Sequence, residues 1–192
     1  MNRYLNFLSI KHDGKGIPYG GTRGKREDGS ENYGYQNLKK SPELIDSIPE
    51  LQEDPELKKL IKSINSPNGS IFSVGCSSGP VSDEHGYRYS GYVEFAINSK
   101  PLVADASNYF PIFFHFDHHL HSSKFSGKIK FDWELMSAHF VDIGVGGFTC
   151  TVFINTSYLQ SSLEASQTWA NALETLGIFL SSVTGFTGEK LY

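Results

Sequence analysis

Four of the seven histidines crowd into one short run, His115-Phe116-Asp117-His118-His119-Leu120-His121. Imidazole and carboxylate together suit zinc, iron or nickel, and a catalytic metal site needs about three protein ligands with one position left open. If the run is helical, His115 and His119 stand one turn apart, as do Asp117 and His121. His115, Asp117, His118, His119 and His121 are therefore candidate ligands for one divalent transition metal. A further ligand would have to come from His85, His139 or Glu134. The competing reading is a polar helix face, backed by Phe113, Phe116 and Leu120, that does no chemistry.

A second pattern is Gly75-Cys76-Ser77-Ser78-Gly79. Gly-x-Ser-x-Gly exposes a nucleophilic serine where a strand turns sharply into a helix. An apolar strand does precede it, but Pro80 and the polar stretch to Gly86 follow in place of a helix, so a turn between two strands is expected. Were the pattern catalytic, Ser77 or Cys76 with His85 would be the pair. Cys76 and Cys150 both have apolar neighbours and read as small buried side chains. Two cysteines far apart call for neither a disulfide scaffold nor structural zinc.

Basic residues gather near the start. Gly20-Gly21-Thr22-Arg23-Gly24-Lys25-Arg26 has glycines that let an anion approach, yet Tyr19 stands where a phosphate loop needs its first glycine and Arg26 where it needs Ser or Thr. Residues 1–40 hold 8 Lys+Arg and 4 Asp+Glu, against 9 and 17 in the rest. The head is thus positive and the body negative, and Arg23, Lys25 and Arg26 are candidates for contact with an acidic protein partner. Nucleic acid is not the expected partner, because the whole chain carries a formal charge of −4. Asn68-Gly69-Ser70 and Asn155-Thr156-Ser157 match the glycosylation pattern by coincidence, since no export signal is read at the N-terminus.

Taken as a strand, Ile112 to His119 resembles the Asp-His-His motif of the DHH phosphoesterases, which implies a two-metal hydrolase of phosphate esters. The family's upstream aspartate-rich motif has only His12-Asp13-Gly14 as its nearest match here, so no residue roles are carried over.

The elements that would position these groups follow from periodicity. Asp13 to Asn37 has no helical or alternating period and reads as a loop or arm, with Tyr19, Tyr33 and Tyr35 as its anchors if ordered. Ser41-Pro42-Glu43 and Asp54-Pro55-Glu56 each place a cap, a first-turn proline and an acid, predicting two short helices. Leu57, Leu60, Ile61 and Ile64 mark the buried stripe of the second. Alternation then predicts two hairpins. The first joins Ile71–Cys76 to Tyr87–Asn98, with Tyr87, Tyr89, Val93, Phe95 and Ile97 inward and Glu94 and Asn98 outward. The second joins 129–135 to 148–154 through Gly144–Gly147.

Ser107 to His121 fits a helix or a strand, and its length favours the helix, with Pro111 in the first turn. Ser161 and Glu164 make a capping box for a last helix carrying Trp169, Leu173, Leu176, Leu180 and Val183.

The expectation is an α+β fold: an antiparallel sheet from two β-hairpins packed against helices, in the order αα-ββ-α-ββ-α, with residues 1–40 as a Gly-rich basic arm or long loop and 41–192 as a single domain. With no apolar run of membrane-spanning length, the chain reads as soluble and cytoplasmic. Its expected role is a non-catalytic binding or protein-interaction module without a cofactor. The alternative is a metal-dependent hydrolase, possibly a phosphoesterase, built on His115–His121.

Overall fold

Asp54 explains why the helical layer starts where it does. The computed structural model describes residues 4–20, 34–123 and 125–192. In it Asp54 caps helix α2 (Pro55–Ile64), its Oδ1 accepting from Leu57 N at 3.0 Å. Its Oδ2 accepts from Ser78 Oγ at 2.8 Å and from Trp169 Nε1 at 2.7 Å. One carboxylate therefore ties α2 to strand β2 (Ile71–Asp83) and to helix α5 (Ser162–Ser182). Leu57, Leu60, Ile61 and Ile64 are buried as their spacing demands, and a Cβ added at Gly177 would meet Leu60, so α2 and α5 cross in close contact. Ser161 caps α5 by accepting from Glu164 N at 3.1 Å.

Between α2 and α5 in the chain come β3 (Gly86–Ile97), the short helix α3 (Lys100–Val103), α4 (Phe110–Ser122), β4 (Ile129–Phe140) and β5 (Val145–Thr156). Before α2 lie a 3-10 turn at Pro42–Ser47, where the first helix was expected, and the short helix α1 (Pro49–Glu53). The segment with two readings is helical, and Pro111 lies in its first turn. Ile129, Phe131, Trp133 and Leu135 of β4 and Cys150, Val152 and Ile154 of β5 are buried on the helix side. Trp133 is the aromatic centre there, with ring contacts to Phe95 (6.1 Å), Phe113 (5.9 Å) and Phe116 (5.3 Å).

Two expectations are corrected. The sheet is mixed: its order is β1-β4-β5-β3-β2, and strand β1 (Leu5–Ile17) runs parallel to β4. Residues 5–17 of the supposed arm therefore belong to the sheet. Their polar and apolar residues alternate poorly because apolar side chains fall on both faces, Leu5 and Phe7 on one and Leu8 and Ile10 on the other, and a parallel partner more than a hundred residues away leaves no local signal. The second correction concerns Gly75–Gly79. β2 runs straight through this segment and through Pro80, pairing with β3 as far as Asp83 and Gly86. Proline is tolerated there because β2 is the other outermost strand.

Replacing Asp54 with Ala removes a cap and leaves the Trp169 indole N–H without its acceptor. Urea unfolding is expected to show a loss of about 2–4 kcal/mol. Asp54→Asn, which keeps an acceptor oxygen, is expected to lose less than Asp54→Ala.

Candidate functional site

The five candidate metal ligands are spread around α4. Ile112, Phe116 and Leu120 take its buried stripe, leaving His115, Asp117, His118 and His121 exposed. A helix turns about 100° per residue, so Asp117 and His121 point away from His115 and His119. His119 is half-buried beside Phe116 and Phe179, at centroid distances of 6.5 and 5.7 Å. Asp117 accepts from Asn6 Nδ2 at 3.3 Å, and Ser122 Oγ lies 3.3 Å from His118 Nε2. Among the described residues no group of three or more His, Cys, Asp or Glu side chains is arranged to share an ion. Of the suggested additional ligands, His85 sits in the β2–β3 turn, and Glu134 lies on the sheet face away from α4, paired with Lys11. The partner-contact candidates Arg23, Lys25 and Arg26 lie outside the described residues, as does Tyr33.

Ser77 occupies the middle of β2 and is not on an elbow. From Ser77 to Asp83 a strand extends about 20 Å, so His85 beyond it is out of hydrogen-bond reach. Burial pushes the Cys76 thiol up to about 12, with the carboxylates of Glu50 and Asp54 adding to the effect. Burial likewise holds Cys150 well above the usual thiol range. Neither thiol is primed for nucleophilic attack.

The strand register assembles a different set of residues, on the sheet face that carries no helices. Partners in register share a face, and three rows can be read across the strands. One is Leu5, Lys130, Asn155, Ser90 and Gly79; the next is Phe7, Asp132, Phe153, Tyr92 and Ser77; the third is Ser9, Glu134, Thr151, Glu94 and Gly75. Side-chain contacts confirm the rows. Ser90 Oγ donates to Asn155 Oδ1 at 2.8 Å, the Tyr92 and Phe153 rings are 6.0 Å apart, and the Lys130 ammonium lies over Phe7 and 2.7 Å from Asp132.

Half of this face is covered. Phe72 and Phe140 are buried under Tyr192, with Phe72 contacting both rings. Asn98 secures that cover by accepting from the Leu191 and Tyr192 amides and donating to the Tyr192 carbonyl. Tyr19 donates to the Val74 carbonyl at 3.0 Å, in a space that only glycine at position 75 leaves free, and Tyr35 N donates to Tyr19 O. Tyr19 and Tyr35 are thus anchors, as expected. The other half is open: Leu5, Phe7 and Phe153 are 57%, 48% and 37% exposed.

Charge marks the boundary between the halves. Glu94 is only 3% exposed and pairs with Lys15, whose side chain comes from β1, three strands away, and passes 5.4 Å from the centre of the Tyr19 ring. Glu134 pairs with Lys11 at 2.8 Å, and this contact raises the Lys11 pKa. The two glutamates stand in one row with Cα atoms about 10 Å apart, and each carboxylate has its own lysine. The arrangement clamps β1 to the sheet and leaves a mixed apolar and charged surface beside it.

Sequence reasoning placed Glu94 and Asn98 outward, and both are buried. A signal was present: Val93 to Ile97 is apolar on both parities around Glu94, as expected of a strand covered on both faces. Nothing local pointed to Lys15 as its partner. No family model, curated protein or solved structure matches the chain.

Lys15→Met strands a buried carboxylate and is expected to cost about 3 kcal/mol in urea unfolding, whereas the double variant Lys15→Met/Glu94→Leu recovers most of that loss. In the folded protein at pH 8, Cys76 and Cys150 are expected to resist a thiol-reactive disulfide reagent and to react once the chain is unfolded.

Proposed function

We propose that this protein is a non-catalytic interaction module whose contact surface is the open half of the helix-free sheet face. One observation carries the reading: Leu5 and Phe7 of the outermost strand β1 and Phe153 of β5 stand exposed together on one sheet face. Large apolar side chains grouped on a surface mark an interaction site more often than scattered ones do. The Lys130–Asp132 pair stands on β4 between Phe7 and Phe153 and gives the surface a charged contact that can fix a partner's register. The excess of Lys and Arg in residues 1–40 favours an acidic protein as the partner, with Arg23, Lys25 and Arg26 adding charge contacts.

A photo-crosslinking phenylalanine analogue in place of Phe7 tests this in cells. The expected result is an adduct to a foreign polypeptide that fades as ionic strength rises and is lost with Phe153→Lys, while thermal stability changes by less than about 0.5 kcal/mol. The same probe in place of the exposed Ile178 on α5 is the control. Equal labelling from both positions, or none from Phe7, overturns the reading.

A further inference from the structure

The two edges of the sheet are finished differently. Along β2 the outer backbone is met by side chains: Ser73 N donates to Asn65 Oδ1 at 3.1 Å and the Val74 carbonyl accepts from Tyr19. The register there shifts at a bulge between Ser73 and Gly75, and Pro80 removes a donor. Bulges and prolines are the usual protections of an edge against pairing with another strand. β1 has none of these between Leu5 and Ile10; its bulge comes later, between Lys11 and Gly14. Among the described residues, no hydrogen bond reaches the outer backbone groups of Leu5–Ile10. The segment Leu5-Asn6-Phe7-Leu8-Ser9-Ile10 contains no charge, no proline and no glycine.

We propose that the occupant of this edge is β1 of a second copy, the two strands pairing antiparallel about a twofold axis to make one sheet of both molecules. Charge selects this occupant. A twofold edge sets each residue type against its own neighbourhood, so charge within the segment would repel its copy, and Leu5–Ile10 has none. The nearest charges beyond it are Arg3 and Lys11, and Lys11 is neutralised within its own molecule by Glu134. An axis through Phe7 sets the two Phe7 rings across from each other and each Leu5 across from the other Ser9. The Phe7–Phe7 pair is an aromatic cross-strand pair of the kind that stabilises antiparallel strands. The pairing goes beyond the interaction reading, because it joins two open half-faces into one double-width surface able to hold a partner at two points.

Sedimentation velocity of the full chain, from about 1 to about 100 µM, tests the inference over the range in which a micromolar contact fills. The expected result is a monomer–dimer equilibrium with no larger species, together with increasing protection of Leu5–Ile10 amides from hydrogen exchange as concentration rises. Phe7→Lys puts two ammonium groups at the axis and is expected to weaken the dimer at least about tenfold with an unchanged circular dichroism spectrum. Ser82→Lys, on the exposed end of β2, is expected to leave it intact.

A monomer at every concentration overturns the inference, as does a dimer that survives Phe7→Lys or is lost in Ser82→Lys. A foreign adduct at Phe7 from a purely monomeric protein removes the dimer and leaves the interaction reading standing. A dimer with no foreign adduct does the reverse.

Discussion

Helices α2, α4 and α5 bury one face of a five-stranded sheet, and the chain must cover the other face with whatever else it has. Tyr19, Tyr35 and the residues up to Tyr192 do this over Phe72 and Phe140, while Leu5, Phe7 and Phe153 stay in contact with water. The division falls at the row holding Glu134 and Glu94. A carboxylate buried at the foot of the cover would be costly unpaired, since desolvation of an ion outweighs most single contacts. Lys15 supplies the charge from the far edge of the sheet, and its ammonium passes close to the Tyr19 ring. Cover, ion pair and edge strand are thus one coupled unit, and the helical layer is another, organised around Asp54.

This coupling explains how β1 holds its place. A parallel edge strand has one ladder of hydrogen bonds and one apolar neighbour, and parallel pairing is slightly less stable per residue than antiparallel. β1 is reinforced by Lys11–Glu134 and Lys15–Glu94 on one face and by Asn6–Asp117 on the other. Asp117 belongs to the histidine-rich helix, so one of that run's side chains helps dock α4 over β1. His119 likewise contributes its ring to the Phe116–Phe179 contact.

What the sequence made legible was local. Caps at Asp54 and Ser161, the Leu57–Ile64 stripe and the alternation from Ile129 to Leu135 are properties of a few adjacent residues, and each element formed where its pattern placed it. The losses were of two kinds. Pro80 and its small polar neighbours look like a turn until β3 is alongside, because only the paired strand shows that an edge position accepts proline. β1 and the row through Glu94 depend on partners more than a hundred or some eighty residues away, and in such pairings the residue types alone carry no address. The open surface was illegible for the same reason: Phe7 and Phe153 become neighbours only through Asp132 between them.

Edge protection gives the last step its direction. Natural sheets guard both edges when neither is meant to pair, and here, among the described residues, the β2 edge carries a bulge, a proline and two side-chain caps while Leu5–Ile10 carries none of these. A sequence under no demand to pair there could place a lysine at Ser9 or Ile10, exposed positions where a charge would cost little. On the proposed pairing, the three ion-pair or hydrogen-bond contacts that tie β1 to β4, β3 and α4 fix a strand that is a template as well as a border. On that proposal the open half-face beside β1 doubles in width, because a twofold edge brings two copies together.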